Sequence, residues 1–208
     1  MKLYYAEVLN PRKACAVAKY LDSPVDYVRV DLRQGEHLTP SFRAINPNAK
    51  IPVFEDGERT IWEADAIMCH LARRAGSELW PHDDRQVDVL RWMSWNHVHF
   101  TRHAGQLYFE HVIKPRFGGR PANEAKVAEA LKAFPVAAAV LEAHLAERSF
   151  LVGDALTLAD FAVAGTLPYA AEARLPLDAF PAIRRWHDRL LAVDAWREPF
   201  PVVAAAAA

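Results

Sequence analysis

Apolar and polar positions alternate with two different periods along this chain, and the change from one to the other divides it. Near the N-terminus "KLYYA" is a short strand-like run. After it, Pro11 suits the first turn of a helix, where no backbone N–H is needed, and Ala14, Val17, Ala18 and Leu21 fall at helical spacing. "VDYVRVD", 25–31, alternates with period 2 and predicts a strand. "TPSFRAIN" predicts a short helix with Thr39 as N-cap and Pro40 at its first position. "IPVFED" and "RTIWE" flank the dipeptide Asp-Gly, a strong hairpin signal. "ADAIMCHLARRAG" closes the series as a helix with Gly76 just past its end. The predicted order is β-α-β-α-β-β-α.

Beyond "SELWPHDD" the strand signals stop. Helical patterns run from about Asp84 to Val112, Asn123 to Glu147, Thr157 to Tyr169 and Pro181 to Val193, with Pro115 and "FGGRP" breaking the first pair. "TLAD", 157–160, is a capping box, with Thr157 as the cap and Asp160 reaching back. No internal repeat or low-complexity linker interrupts the pattern. The expected organisation is an α/β domain over 1–78 and an all-α domain over 84–200. The Ala-rich end "PVVAAAAA" is expected to fray.

Composition narrows the functional classes. The 208 residues are 52% hydrophobic and 25% charged, with a net charge of −1. That balance offers nothing to a nucleic acid or an anionic membrane. No apolar run approaches the ~20 residues that span a bilayer, and "MKLYYAEVLN" is too short and polar for a secretory signal. The expectation is a cytoplasmic protein. Cys15 and Cys69 form no CxxC and lie on apolar helical faces, which predicts buried, structural thiols rather than a dithiol redox pair.

Three motifs resemble those of the cytosolic glutathione transferases. "INPNAKIPVFEDG" is similar to that family's "NPxGKVPVLxDG", "IWEADAIMCHLAR" to its "LxESxAIxxYL", and "RQGEHLTPSF" to the "KGEHLxPEF" of theta-like and bacterial members. "FLVGDALTLADFAVAG" is similar to its helical-domain signature, so the likeness covers nearly the whole chain. The resemblance implies an α/β thioredoxin-like N-terminal domain followed by an all-α C-terminal helical bundle. It implies a transferase with glutathione as co-substrate and no metal. It also implies a small-molecule electrophile, peroxide or disulfide as second substrate, and a homodimer, to which the helix bearing Ala66, Ile67 and His70 could contribute.

The same resemblance assigns roles. The Ile51–Pro52 bond is expected to be cis, and the Ile51 backbone to pair with the cysteinyl part of glutathione. Glu63 is placed for the ligand's ammonium group. Ala64 stands where the family has serine, so it keeps the backbone N–H at a helix start and loses the hydroxyl. His37 and Lys50 are placed for the glycyl carboxylate.

The residue that usually activates the thiol is missing. Alignment on "NPRKA" sets the family's serine position at Val8 and its proline at Leu9; alignment on "MKLYY" sets the beta-like cysteine position at Asn10. Asn10 is the best remaining candidate, since its amide carries two N–H donors for a thiolate and no base. An Asn-Pro turn residue capping the helix explains it equally well. Nu-like bacterial members carry an asparagine near this place and lean toward disulfide reduction and peroxidase turnover. Tyr5 reads as a packed strand aromatic. Arg12 and Lys13 add positive charge at the same helix start, or are simply solvated.

The helix containing "VLRWMSWNHVHFTRHAGQLYFEH" sets Trp92, Trp95, His99, Arg102 or His103, and Gln106 on one face. That face is either core or, as in the family, the wall of the second-substrate pocket, with Trp95, His99 and His103 as its marked residues. His99 and His103 lack a third ligand, so no metal is expected. Val8, Leu9 and Ala64 leave open a non-enzymatic adaptor that keeps only the fold, and a dehalogenase or isomerase would differ only in substrate. His37, Lys50 and Glu63 favour the enzyme, because an adaptor needs no polar peptide site.

Overall fold

A computed structural model describes residues 1–202. Most of the Ala-rich end expected to fray lies outside the described residues. Strands β1 (Lys2–Tyr5), β2 (Asp26–Arg29), β3 (Val53–Asp56) and β4 (Arg59–Trp62) form one sheet in the order β2-β1-β3-β4. The β1–β2 pair is parallel, with Leu3 opposite Tyr27; β1–β3 and β3–β4 are antiparallel, with Leu3 opposite Phe54 and Phe54 opposite Ile61. Helices α1 (Leu9–Tyr20), α2 (Pro40–Ile45) and α3 (Ala64–Arg74) complete the α/β part.

Alternation along β1 decides what each face meets. Leu3 and Tyr5 point into the main core with the buried residues of α1 and α3, whereas Val53 and Phe42 form a small second core beneath α2 with Tyr4 packed against it. Tyr5 is the packed aromatic its position suggested, edge-on to Tyr27 and stacked on Phe200. The hairpin differs slightly from the sequence reading. Asp56 pairs with Arg59, so Gly57 and Glu58 are the central residues, with Gly57 at φ 61°. Glycine at the first central position is the II′ arrangement, rather than the I′ turn that a central Asp-Gly would make.

The helical part begins with one long, irregular rod. Helices α4 (Arg85–Trp95), α5 (Thr101–Tyr108) and α6 (Lys114–Gly118) are joined by π-helical segments at Asn96–Phe100 and Phe109–Ile113. The break expected near Pro115 is not there. Pro115 follows directly on the second π-helical segment, an irregularity of the kind that accommodates a proline within a helix, and the rod ends instead with Gly119 at φ 58°. Helices α7 (Glu124–Leu145), α8 (Leu158–Val163), α9 (Pro181–Leu191) and α10 (Asp194–Arg197) pack around it.

Asp160 holds the bundle together. The predicted capping box is present, and the Asp160 carboxylate accepts from the Thr157 backbone N–H at 2.9 Å. It also accepts from the Leu151 N–H at 3.0 Å and the Trp186 indole at 2.9 Å. One buried carboxylate thereby joins the preceding loop, α8 and α9. Burial pushes its pKa up, against these donors. Among the described residues, no helix is long and apolar enough to cross a membrane, and no cluster of three metal-ligating side chains occurs.

Candidate active site

The first turn of α1 and the first turn of α3 carry most of the candidate residues. Val8 has extended backbone (φ −138°, ψ 171°) and is the N-cap of α1, so the helix proper starts at Leu9. Asn10 is therefore the second helical residue, not a cap, and its side chain is exposed. The Val8 side chain makes no cap bond and the first turn holds no acidic residue. No side chain within the first turn neutralises the positive end of α1.

Arg12 and Lys13 are not solvated. Both are buried, at 8% and 1% exposure. The Arg12 guanidinium donates to the Trp196 carbonyl at 2.6 Å and the Arg197 carbonyl at 3.3 Å, and lies over the Trp196 ring. Lys13 donates to the Asp65 carboxylate at 2.9 Å. The other Asp65 oxygen lies 2.8 Å from His97 Nε2. Burial would raise the Asp65 pKa, but Lys13 and His97 hold it far below the usual carboxylate range.

At α3 the Ile51–Pro52 bond is cis, as expected. Glu63, the residue before the helix, has φ 70° and ψ 120°, and its exposed carboxylate makes no cap bond. Ala64 is buried at 4% exposure and begins the helix. Lys50 is exposed; its carbonyl accepts from the Asn46 amide at 2.6 Å. His37 lies on a short 3-10 turn, Glu36–Leu38, with Nδ1 buried and unpartnered. Burial lowers its pKa, helped by Arg43.

Trp95, His99 and His103 share a face, as their spacing implied, but it is turned to α7. Trp95 contacts Trp92 and His99, Trp92 packs on His144, and His103 feels the charge of Glu129. Arg91, Trp92, Trp95, Val140 and His144 line a cavity of about 390 Å³ between α4 and α7. None of these residues belongs to the β1–α1 turn.

The β1–α1 turn meets two residues that the sequence reading did not select. Arg116 donates to the Glu7 carbonyl at 3.3 Å. The Tyr108 ring packs on Tyr169 at 4.7 Å; burial raises the Tyr108 pKa, and the Leu9 amide and Arg116 oppose it. Helical spacing marks faces but not their neighbours, so it does not tell that Tyr108 packs on Tyr169. On α3, Ala66 is exposed. Ile67 is fully buried within its own chain, and His70 is bonded to Asp56 at 2.9 Å.

Comparison with known proteins decides the family. The model of the glutathione S-transferase N-terminal domain matches residues 1–73, and that of the C-terminal domain matches residues 100–194. The chain is a glutathione S-transferase family member. A probable glutathione S-transferase of Oryza sativa subsp. japonica is 31% identical over 199 residues, covering 92% of each chain. The theta-1 enzyme of Homo sapiens is 28% identical over 212 residues, 98% of this chain and 88% of its own. Among solved structures, a possible glutathione S-transferase from Rhodopseudomonas palustris superposes with a TM-score of 0.87 at 28% identity, covering 99% of this chain and 93% of its own. The thioredoxin-like sheet and the helical bundle are this transferase's two parts, and the α1 start packs beside the rod and α10.

Proposed function

We propose that this transferase binds glutathione at the α1 and α3 helix starts and activates its thiol with the Asn10 amide. The observation that carries the reading is the bare first turn of α1. It has no acidic residue and no side-chain cap, and Asn10 is exposed within it. A thiolate is the reactive form of the tripeptide, and fixed N–H donors favour it over the thiol. Asn10 holds that charge and takes no proton. Glu63 receives the ligand's ammonium group, the α3 start with Ala64 its γ-glutamyl carboxylate, the Ile51 backbone its cysteinyl part, and His37 and Lys50 its glycyl carboxylate.

The thiolate then attacks an electrophile, a peroxide or a disulfide. We propose that the second substrate meets Arg116, which donates to the Glu7 carbonyl at the β1–α1 turn, and opens a path to the Tyr108 hydroxyl, buried and without a protein partner among the described residues. Trp95, His99 and His103 then belong to a separate groove against α7. Homodimer formation, a cytoplasmic location and a role in detoxification complete the proposal and rest on the family resemblance alone.

Calorimetric titration with reduced and with oxidised glutathione tests the reading. Tighter binding of the reduced form supports electrophile transfer. Equal or tighter binding of the disulfide supports disulfide reduction. Failure of both at millimolar ligand refutes a glutathione enzyme and leaves the adaptor.

A further inference from the structure

The Lys13–Asp65 pair has no place in the chemistry described so far, yet the chain makes room for it. Lys13 is 1% exposed, although burying an ammonium group is costly unless it is well paired. Its stem runs past Gly165, where an added Cβ would lie 3.1 Å from Lys13 Cδ. A larger residue there would push the Lys13 stem aside by a few tenths of an ångström. Both Asp65 oxygens are engaged from outside α3, by Lys13 on α1 and by His97 on the first π-helical segment.

Two residues upstream stands Glu63, a non-glycine residue at φ 70°. Such backbone persists only where its surroundings over-determine it. On one side Trp62 is fixed in the sheet opposite Val53. On the other, Ala64 leads directly into Asp65.

We propose that Lys13 and Asp65 are positioning residues, a buried ion pair that anchors the Glu63–Ala64 turn to α1 and so sets the γ-glutamyl site for glutathione. The inference rests on the glutathione reading above. The pair would also link the two helix starts, so that the residues around the ligand's α-amino acid end keep their distance from the α1 turn that holds its sulfur.

A merely structural pair predicts a different result from a positioning one. Lys13→Met and Asp65→Asn each strand a buried partner, so each lowers the melting temperature; the double variant Lys13→Met/Asp65→Asn strands no charge and recovers it. With a positioning role, the double variant still binds glutathione about tenfold more weakly, with KM raised and kcat at saturating glutathione within about twofold. Gly165→Ala keeps both charges, displaces the Lys13 stem, and weakens binding in the same sense. Recovery of affinity together with melting temperature in the double variant overturns the proposal. Unmutated protein that binds no glutathione overturns both this inference and the reading beneath it.

Discussion

Asn10→Ala removes the only side-chain donor proposed for the glutathione sulfur while leaving the α1 backbone in place. The side chain is exposed, so its loss should change folding stability by no more than about 0.5 kcal/mol. Its effect on the ligand is larger. A hydrogen bond to a charged group contributes about 1.5–3 kcal/mol, and one pKa unit corresponds to about 1.4 kcal/mol. The bound thiol should therefore titrate about one to two units higher in the variant. The helix start alone, contributing about 0.3–1 kcal/mol, would supply less than one unit. The assay is a pH titration of the ultraviolet thiolate absorbance of bound glutathione, with and without the substitution. Asn10→Asp sharpens the test. A carboxylate in the first turn favours the helix but repels the thiolate, so stability should hold or rise while the thiol pKa climbs further. A shift below about 0.3 unit in Asn10→Ala would refute the assignment, because the helix would then account for activation by itself.

Other perturbations probe the rest of the molecule. Asp160→Ala leaves the Leu151 and Thr157 amides and the Trp186 indole without their acceptor, and should cost about 3–6 kcal/mol in urea unfolding; a loss under about 1 kcal/mol would mean that water or a neighbour replaces it. Ala64→Ser should tighten glutathione binding by about tenfold or less, the worth of one neutral hydrogen bond, and an unchanged calorimetric Kd would place that side chain away from the ligand. Tyr108→Phe should alter turnover of bulky electrophiles with little change in glutathione affinity, while His103→Ala leaves both alone. The opposite ranking would return the second substrate to the α7 side of the rod.

Local signals carried most of the fold. The Thr39 and Thr157 caps, the Pro40 start and the Gly76 stop each depend on neighbours a few residues away, and each stands where its pattern put it. The turn at Gly57 slipped by one position because Asp-Gly fits two registers. What escaped the sequence is long-range. Lys13 and Asp65 are 52 residues apart, and Arg12 and Trp196 are 184 apart. Nothing near a basic residue in the chain tells whether an acceptor will arrive from so far away, so solvation was the natural expectation. The π-helical segments were equally hidden. Their apolar spacing looks like ordinary helix, and the wider turn is visible only in the backbone.

The grip of Arg12 on the last short helix has a practical side. The first helix and the final described residues are fastened together, so the chain is closed on itself like a buckled belt. A tag appended beyond residue 202 leaves that fastening alone, whereas a truncation before Trp196 would remove the carbonyls of both Trp196 and Arg197 from a guanidinium in the interior. Trimming this protein for crystallisation or fusion is therefore safe only outside the buckle, and a cut only a few residues further in would reach α9.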